Sequence, residues 1–166
     1  MARLDRDAAG YIVGFIIFVA AIPALMCLLA GRPDAGSLRR LLCVLCAAVG
    51  LGLSVWSIVY MKRVGQGNPL DAFNHELAPR TSRLMTAGPY ALCRNPMLLG
   101  VLIYYLGWQI YLLSWRALAV FAVFALIIWV QVRREEQRLE RDFGREYRDY
   151  KRRVPALLPR LCRRNG

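Results

Sequence analysis

The sequence predicts an all-α, polytopic membrane protein with four transmembrane helices and a cytosolic C-terminal amphipathic helix. Hydrophobic residues make up 57% of the 166 residues, charged residues only 20%, and the mean hydropathy is +0.35. Four long stretches carry no charge, and the 23 lysines and arginines fall before, between and after them. This composition excludes an intrinsically disordered chain, a collagen-like repeat and a disulfide-knotted secreted scaffold.

The uncharged stretches define the expected transmembrane spans. A spanning helix needs about 20 apolar residues, and the first three stretches have 24, 21 and 21. The fourth has 16 and can span if its helix continues into the charged segment that follows and Arg116 snorkels to the surface. We therefore expect one integral membrane domain over residues 1–166, with spans at about 9–31, 40–62, 95–115 and 116–133.

The sequence also predicts features of the first span and of the segments that connect the spans. The apolar part of the first span is too long for a cleavable signal peptide, and Pro23 is expected to kink the helix. Only Ser114, Trp115 and Arg116 separate the third and fourth spans, which predicts a tight hairpin. The segments 62–94 and 133–166 are much longer, and we expect the first of them to be an ordered loop.

The positive charges indicate the orientation. Of the 23 lysines and arginines, 19 lie at the N-terminus, in segment 62–94 or in the tail, and four lie on the other side. The positive-inside rule therefore predicts cytosolic termini, and we expect a multi-pass protein of a bacterial inner membrane. The net charge of +12 is then explained by topology and by attraction to anionic membrane lipid. No basic stripe with interleaved aromatic residues indicates binding to nucleic acid.

The tail has the periodicity of an amphipathic helix. Its apolar residues recur at helical spacing and face an arginine-rich side; they are Val132, Leu139, Phe143, Tyr147, Tyr150 and Val154. Two interpretations stay open, a helix lying on an anionic membrane surface and a cytosolic lid over the bundle.

Several other features give weak signals. Cys43 and Cys46 form a CxxC, but no second cysteine or histidine pair completes a metal site, so we expect no metal. Gly65-Gln66-Gly67 has no preceding strand, which excludes a Rossmann unit, and the single histidine, His75, is more simply a loop residue than a base.

A first motif precedes the third span, where Gly88-Pro89-Tyr90 is followed by Arg94-Asn95-Pro96 and, after three residues, by Gly100. Asn95 is expected to be the N-cap of the helix and Pro96 its first residue. The helix N-terminus beside Arg94 could bind an anion. The alternative is ordinary capping next to an arginine that only sets topology.

A second motif, Glu135-Glu136, follows the fourth span. The two carboxylates could accept hydrogen bonds from ribose hydroxyls or an amino group of a ligand. The alternative is local pairing on the helix surface, for example between Glu135 and Arg138.

Together the two motifs resemble those of the integral membrane methyltransferases that include isoprenylcysteine carboxyl methyltransferases and phospholipid N-methyltransferases. That family has Gly-Pro-Tyr, then Arg-(His or Asn)-Pro-x-Tyr-x-Gly, and later Glu-Glu-x-x-Leu with Phe-Gly-x-x-Tyr-x-x-Tyr. The second pair reads Glu135-Glu136-Gln137-Arg138-Leu139 and Phe143 to Tyr150 in this chain. Asn95 is similar to the phospholipid enzymes, whereas Leu98 replaces the motif tyrosine. The resemblance covers about residues 60–159.

The resemblance implies transfer of a methyl group from S-adenosylmethionine to a lipophilic acceptor, which is a carboxylate, an amine or a thiol. It places the cofactor between the start of the third span and the Glu-Glu helix, at the cytosolic membrane face, with Arg94 as the catalytic residue. The implied cofactor-binding residues are Tyr90, Arg94, Asn95, Pro96, Met97, Gly100, Glu135 and Glu136. The competing interpretation is a non-enzymatic membrane scaffold or lipid sensor with a basic tail. A transporter or channel is disfavoured because no span interior carries an ionisable residue other than cysteine and tyrosine.

Overall fold

The computed structural model describes residues 16–31, 33–65 and 84–158, and these form an all-α structure. Its helices are α1 (Ile16–Ala30), α2 (Ser37–Tyr60, continued by a π-helical turn over Met61–Gly65), α3 (Pro96–Leu112) and α4 (Trp115–Arg153). A short 3₁₀ turn, Gly88–Ala91, precedes α3. Most of segment 62–94, with Gly67 and His75, lies outside the described residues, as does Cys162.

Among the described residues, two helices are long and apolar enough to cross a membrane, α2 with its extension to Val64 and α4. Helices α1 and α3 are apolar but shorter than the expected spans, and the first 15 residues lie outside the described part of the chain. Helix α3 is short because both of its ends are fixed locally. Pro96 disfavours helix at the residue before it, and Leu113 adopts a left-handed conformation (φ 45°) that ends the helix.

Helix α4 is the largest difference from the expected boundaries. The expected span to about residue 133 and the expected tail helix both lie within one helical element, Trp115–Arg153, which consists of two helices joined at a kink. The expected continuation of the fourth span into the charged segment is therefore confirmed. Gly144 interrupts the helical backbone at φ 51° and ψ −116°, a conformation that residues with a Cβ rarely adopt. The tight hairpin between α3 and α4 is also confirmed, with only Leu113 and Ser114 between the helices.

Helices α2 and α3 pack closely because small residues lie at their contact. A Cβ atom added to Gly50 would collide with the Gly100 carbonyl, and one added to Gly100 would collide with the Ser54 hydroxyl. A Cβ atom at Gly107 would lie 2.7 Å from that of Cys46. Such small-residue contacts let helix backbones approach where lipid removes the hydrophobic drive to associate. The packing fixes the start of α3, where the Ser54 hydroxyl donates to the Met97 carbonyl at 3.0 Å.

Helix α1 is held by two tyrosines of α3. Pro23 has no N–H, so the Val19 carbonyl lacks its usual partner four residues on, and the hydroxyl of Tyr104 donates to that carbonyl at 2.8 Å. Tyr105 donates in the same way to the Phe18 carbonyl at 2.7 Å. Both carbonyls lie in a π-helical turn, Ile16–Ala21, that ends two residues before Pro23. The proline therefore coincides with a change of helix type.

The chain after α4 returns to the start of α3. The Arg94 N–H donates to the Pro155 carbonyl at 2.8 Å, and the Asn95 N–H donates to the Ala156 carbonyl at 3.1 Å. Ala156 and Leu157 also pack on an apolar cluster formed by Leu98, Ile128 and Val132. We call residues 154–157 the C-terminal return segment. It brings the two sequence motifs together at one end of the bundle.

Candidate functional site

The guanidinium of Arg94 lies at the centre of the candidate site. Its Nε donates to the Glu136 carboxylate at 3.0 Å, and one of its terminal nitrogens contacts the same oxygen. The other terminal nitrogen donates to the carbonyls of Lys151, at 3.0 Å, and Val154. One side chain therefore connects the residue before α3, the middle of α4 and the end of α4.

The pair between Arg94 and Glu136 is buried, with only 8% and 6% of the two side chains exposed. Burial of charges is unfavourable unless they are paired and hydrogen-bonded, and this pair meets both conditions. The ammonium group of Lys151 lies 3.6 Å from the second Glu136 oxygen and 3.4 Å from Glu140. The two motifs, 42 residues apart in sequence, thus meet in a low-dielectric charge network.

The structure corrects one expectation about Asn95. It stands at the N-cap position of α3, but its side chain makes no capping hydrogen bond. The amide Nδ2 donates instead to the Ala156 carbonyl at 3.1 Å, because this side chain binds the C-terminal return segment. The start of α3 therefore depends on residues that are distant in sequence.

Three tyrosines surround the charge network, namely Tyr90, Tyr147 and Tyr150. The Tyr150 hydroxyl donates to the Tyr90 carbonyl at 2.6 Å, and the ring of Tyr90 lies beside that of Tyr60. Gly88 (φ 62°) permits this contact, since a Cβ there would collide with the Tyr60 ring. Tyr147 is fully buried, and its hydroxyl makes no hydrogen bond of good geometry to a described residue. A buried hydroxyl without a partner is unfavourable, so it could bind a polar group of a ligand.

The tyrosine and cysteine side chains around Arg94 are held in their neutral forms. Burial, followed by the nearby Glu136 carboxylate, raises the pKa of Tyr147, and burial followed by Glu135 raises that of Tyr90. Burial also raises the pKa of the fully buried Cys93 thiol to about 11. These side chains can donate hydrogen bonds near neutral pH, but they cannot serve as ready anionic nucleophiles.

The residues implied by the resemblance divide into two groups. Tyr90, Arg94, Asn95, Glu135 and Glu136 lie around the charge network, with Glu135 half-buried and close enough to raise the pKa of Tyr90. Pro96 is buried, Met97 packs against the apolar cluster with Leu98, and Gly100 contacts α2. The close approach of α2 explains why residue 100 is a glycine, without any contact to a ligand.

The expected site lacked several residues that the structure brings to it. Tyr147, Tyr150, Lys151 and the C-terminal return segment all contact the first motif or its partners. The apolar stripe of the tail could have identified the two tyrosines, because they are its buried residues together with Val132. No group of His, Cys, Asp or Glu side chains in the described part of the chain is arranged to hold a metal ion.

The match to a known protein family covers the part of the chain that carries both motifs. The sequence profile of the phospholipid methyltransferase family matches residues 38–146, well over half of the chain. Protein-S-isoprenylcysteine O-methyltransferase of Rattus norvegicus is 38% identical over 106 residues, which cover 60% of this chain and 36% of the rat protein. The cobalt-zinc-cadmium resistance protein CzcN of Cupriavidus metallidurans is 38% identical over 88 residues, which cover 52% of this chain and 40% of CzcN.

The matched part of the chain thus spans less than half the length of these curated relatives. No solved structure matches the chain significantly. The family profile extends from the start of α2 through both motifs to Glu146 in α4. The chain therefore belongs to the phospholipid methyltransferase family.

Proposed function

We propose that the chain catalyses methyl transfer from S-adenosylmethionine to a lipophilic acceptor at the cytosolic membrane face. The observation that carries the proposal is the buried pair of Arg94 and Glu136, which joins the two family motifs into one site. A polar cofactor from the cytosol and an apolar acceptor from the bilayer have to meet at a membrane edge. The start of α3 and the charged half of α4 form such an edge.

The residues of the site fit this cofactor chemically. S-adenosylmethionine supplies an electrophilic methyl group on a sulfonium and carries hydroxyl, amino and carboxylate groups. Glu135, half-buried beside Tyr90, and Glu136 offer carboxylate acceptors for the hydroxyl or amino groups. The buried hydroxyl of Tyr147 lacks a described partner and can donate to an acceptor atom. Alignment and exclusion of water are the main contributions that a protein makes to such a displacement.

Arg94 has two candidate roles. Its contacts to Glu136, Lys151 and Val154 use most of its donors, which favours a positioning role. The family resemblance instead favours a direct contact with the cofactor or acceptor. Both roles require the planar guanidinium group, which presents two parallel N–H donors, and a lysine ammonium cannot reproduce this geometry. We expect Arg94→Lys to insert normally and to lower methyl transfer at least about tenfold.

Cofactor affinity in the same variant separates the two roles. An unchanged Kd with lower turnover assigns Arg94 to the acceptor. A weakened Kd that the added Glu136→Gln substitution weakens no further assigns it to positioning through Glu136, whereas additive losses assign it to direct contact with the cofactor. Wild-type turnover in Arg94→Lys contradicts both roles and leaves this arginine to membrane topology alone.

The acceptor atom is open among oxygen, nitrogen and sulfur. A carboxylate or thiolate acceptor needs no general base, whereas an ammonium first has to lose a proton. The rat relative is an O-methyltransferase of isoprenylcysteine, and the family description names phospholipids. Both acceptors would reach the site from the bilayer. A transfer assay with labelled methyl groups over membrane lipid extracts identifies which class is modified.

The proposal is tested most directly by cofactor binding to the purified protein in detergent, measured by calorimetry. We expect Glu135→Ala or Glu136→Gln to weaken the affinity at least about tenfold, because a hydrogen bond to a charged group contributes about 1.5–3 kcal/mol. Asp149→Ala is the matched control, since its carboxylate lies on the same helix and is 52% exposed. If the wild-type protein does not bind S-adenosylmethionine, the scaffold interpretation is favoured. If both variants bind like wild type, the assignment of this helix is wrong.

The membrane topology in this proposal has four spans, with both termini in the cytosol. Cys162 is then expected to react with a membrane-impermeant maleimide from the cytosolic side, and a cysteine in place of Ser37 from the opposite side. Cytosolic labelling at position 37 contradicts the four-span arrangement.

A further inference from the structure

A groove of about 740 Å³ lies between α1, α2 and α3 at the end of the bundle away from the Arg94–Glu136 pair. Its lining includes Leu28, Arg40, Cys43, Val44, Trp108 and Tyr111. At a rise of 1.5 Å per residue, Trp108 lies about 18 Å along α3 from the first residue of that helix. The groove is therefore separate from the site proposed for methyl transfer.

The wall of this groove is apolar and open to the side. Leu28 and Val44 are 81% and 64% exposed, on helices whose outer faces carry many other exposed aliphatic side chains. Trp108 and Tyr111 add two aromatic rings that pack edge to face, with their centroids 6.0 Å apart. In a membrane, such a surface contacts acyl chains, and aromatic residues are enriched close to the headgroups.

Arg40 is the charged member among the described residues that line the groove. Within the described part of the chain its guanidinium makes no hydrogen bond or ion pair, whereas two nearby arginines are engaged. Arg39 donates to the Asp34 carbonyl, and Arg116 donates to the Leu29 carbonyl. An unpaired guanidinium beside an apolar groove is complementary to an amphiphile with an anionic head.

We propose that this groove binds a glycerophospholipid with an anionic headgroup, with its phosphate on Arg40 and an acyl chain along Leu28, Val44 and the two aromatic rings. The volume fits the part of a lipid next to the headgroup, and the remaining chain length continues along the exposed helix faces. The site holds a structural lipid and does not depend on the proposed methyl transfer.

The test uses quenching of tryptophan fluorescence by brominated lipid in phosphatidylcholine nanodiscs that contain the whole chain. Phosphatidylglycerol with brominated acyl chains is compared with phosphatidylcholine that carries the same chains. The component due to Trp108 is obtained by difference from Trp108→Phe. We expect half-maximal quenching of this component at a mole fraction at least about fivefold lower for phosphatidylglycerol. Both lipids have a phosphate, but the choline ammonium of phosphatidylcholine neutralises its headgroup and repels the Arg40 guanidinium, whereas phosphatidylglycerol has a net negative charge.

Two variants test the role of the arginine. Arg40→Gln is expected to abolish the preference for phosphatidylglycerol. The substitution should not destabilise the protein, because the Arg40 side chain is exposed. Arg39→Gln is the matched control, since it removes the same charge from the same helical turn but lies outside the groove lining. Equal loss of preference in both variants overturns the proposal in favour of general surface attraction.

Inorganic phosphate tests whether the apolar part of the groove takes part. At millimolar phosphate and constant ionic strength we expect no release of the brominated lipid, because phosphate lacks an acyl chain. Release by phosphate, or equal quenching by the two lipids in the wild-type protein, overturns the proposal.

Discussion

Glu136→Gln tests whether the buried charge network stabilises the structure. The substitution keeps the shape of the side chain but leaves the Arg94 guanidinium, 8% exposed, without a counter-charge. Breaking a buried pair by removal of one partner costs about 3–5 kcal/mol. The glutamine oxygen can still accept one hydrogen bond from Arg94, which recovers about 1 kcal/mol. We therefore expect the free energy of unfolding to fall by at least about 2 kcal/mol.

The measurement is reversible unfolding in mixed detergent micelles, followed by circular dichroism. Glu140→Gln is the control, because the same substitution on the same helix removes an ion pair of 3.4 Å to Lys151 that is more than a third exposed on each side. Exposed pairs contribute about 0–1 kcal/mol, so this variant should stay within that range. Equal destabilisation by the two variants refutes the assignment of a buried, structurally important pair.

A double-mutant cycle adds a second criterion. If Arg94 and Glu136 stabilise the fold through each other, Arg94→Met combined with Glu136→Gln should be less destabilising than the sum of the single variants. We expect a coupling energy above about 1.5 kcal/mol, within the range measured for residues in one network. A coupling energy near zero contradicts the contact itself.

Two further predictions concern packing and burial. Gly100→Ala should destabilise the protein by about 1–3 kcal/mol because its Cβ would collide with Ser54 and α2 backbone, whereas Gly52→Ala, with open space around it, should be neutral or stabilising in the same unfolding measurement. Cys93 should resist alkylation by N-ethylmaleimide in the folded protein and react after denaturation, as followed by mass spectrometry. Its pKa rises from 9.0 to about 11 on folding, so its contribution to stability should be complete below pH 9 and be lost as the pH rises towards 11, a loss that Cys93→Ala should lack.

Local sequence signals predicted much of the helical architecture. Pro96 after Asn95 gives the start of α3 correctly, and the short connection Ser114-Trp115-Arg116 gives the hairpin to α4. These signals depend on neighbours in the chain, so they can be recognised without tertiary information. The continuation of α4 past residue 133 to the kink at Gly144 was less predictable, because hydropathy marks where a membrane ends and not where a helix ends.

The candidate site was predicted in its residues but not in its contacts. The sequence indicates that Arg94 and Glu136 belong to the site. It predicted that Arg94 binds an anionic ligand, and that the Glu-Glu pair binds either a ligand or a nearby side chain on the same helix. Their mutual contact spans 42 residues and follows from how α3 and α4 pack. The side-chain contact from Asn95 to the Ala156 carbonyl was missed for the same reason, since a capping preference describes only the local helix.

The C-terminal return segment has a consequence for biosynthesis. Arg94 and Asn95 bind carbonyl groups of residues 154–156, about 60 positions later in the chain. During translation the hairpin of α3 and α4 can enter the membrane while those carbonyls have not yet been synthesised. A nascent chain stalled before residue 154 would thus hold both motifs but lack the Val154, Pro155 and Ala156 carbonyls that Arg94 and Asn95 bind. The ribosome therefore completes the peptide that closes this end of the bundle only after α4 has been made.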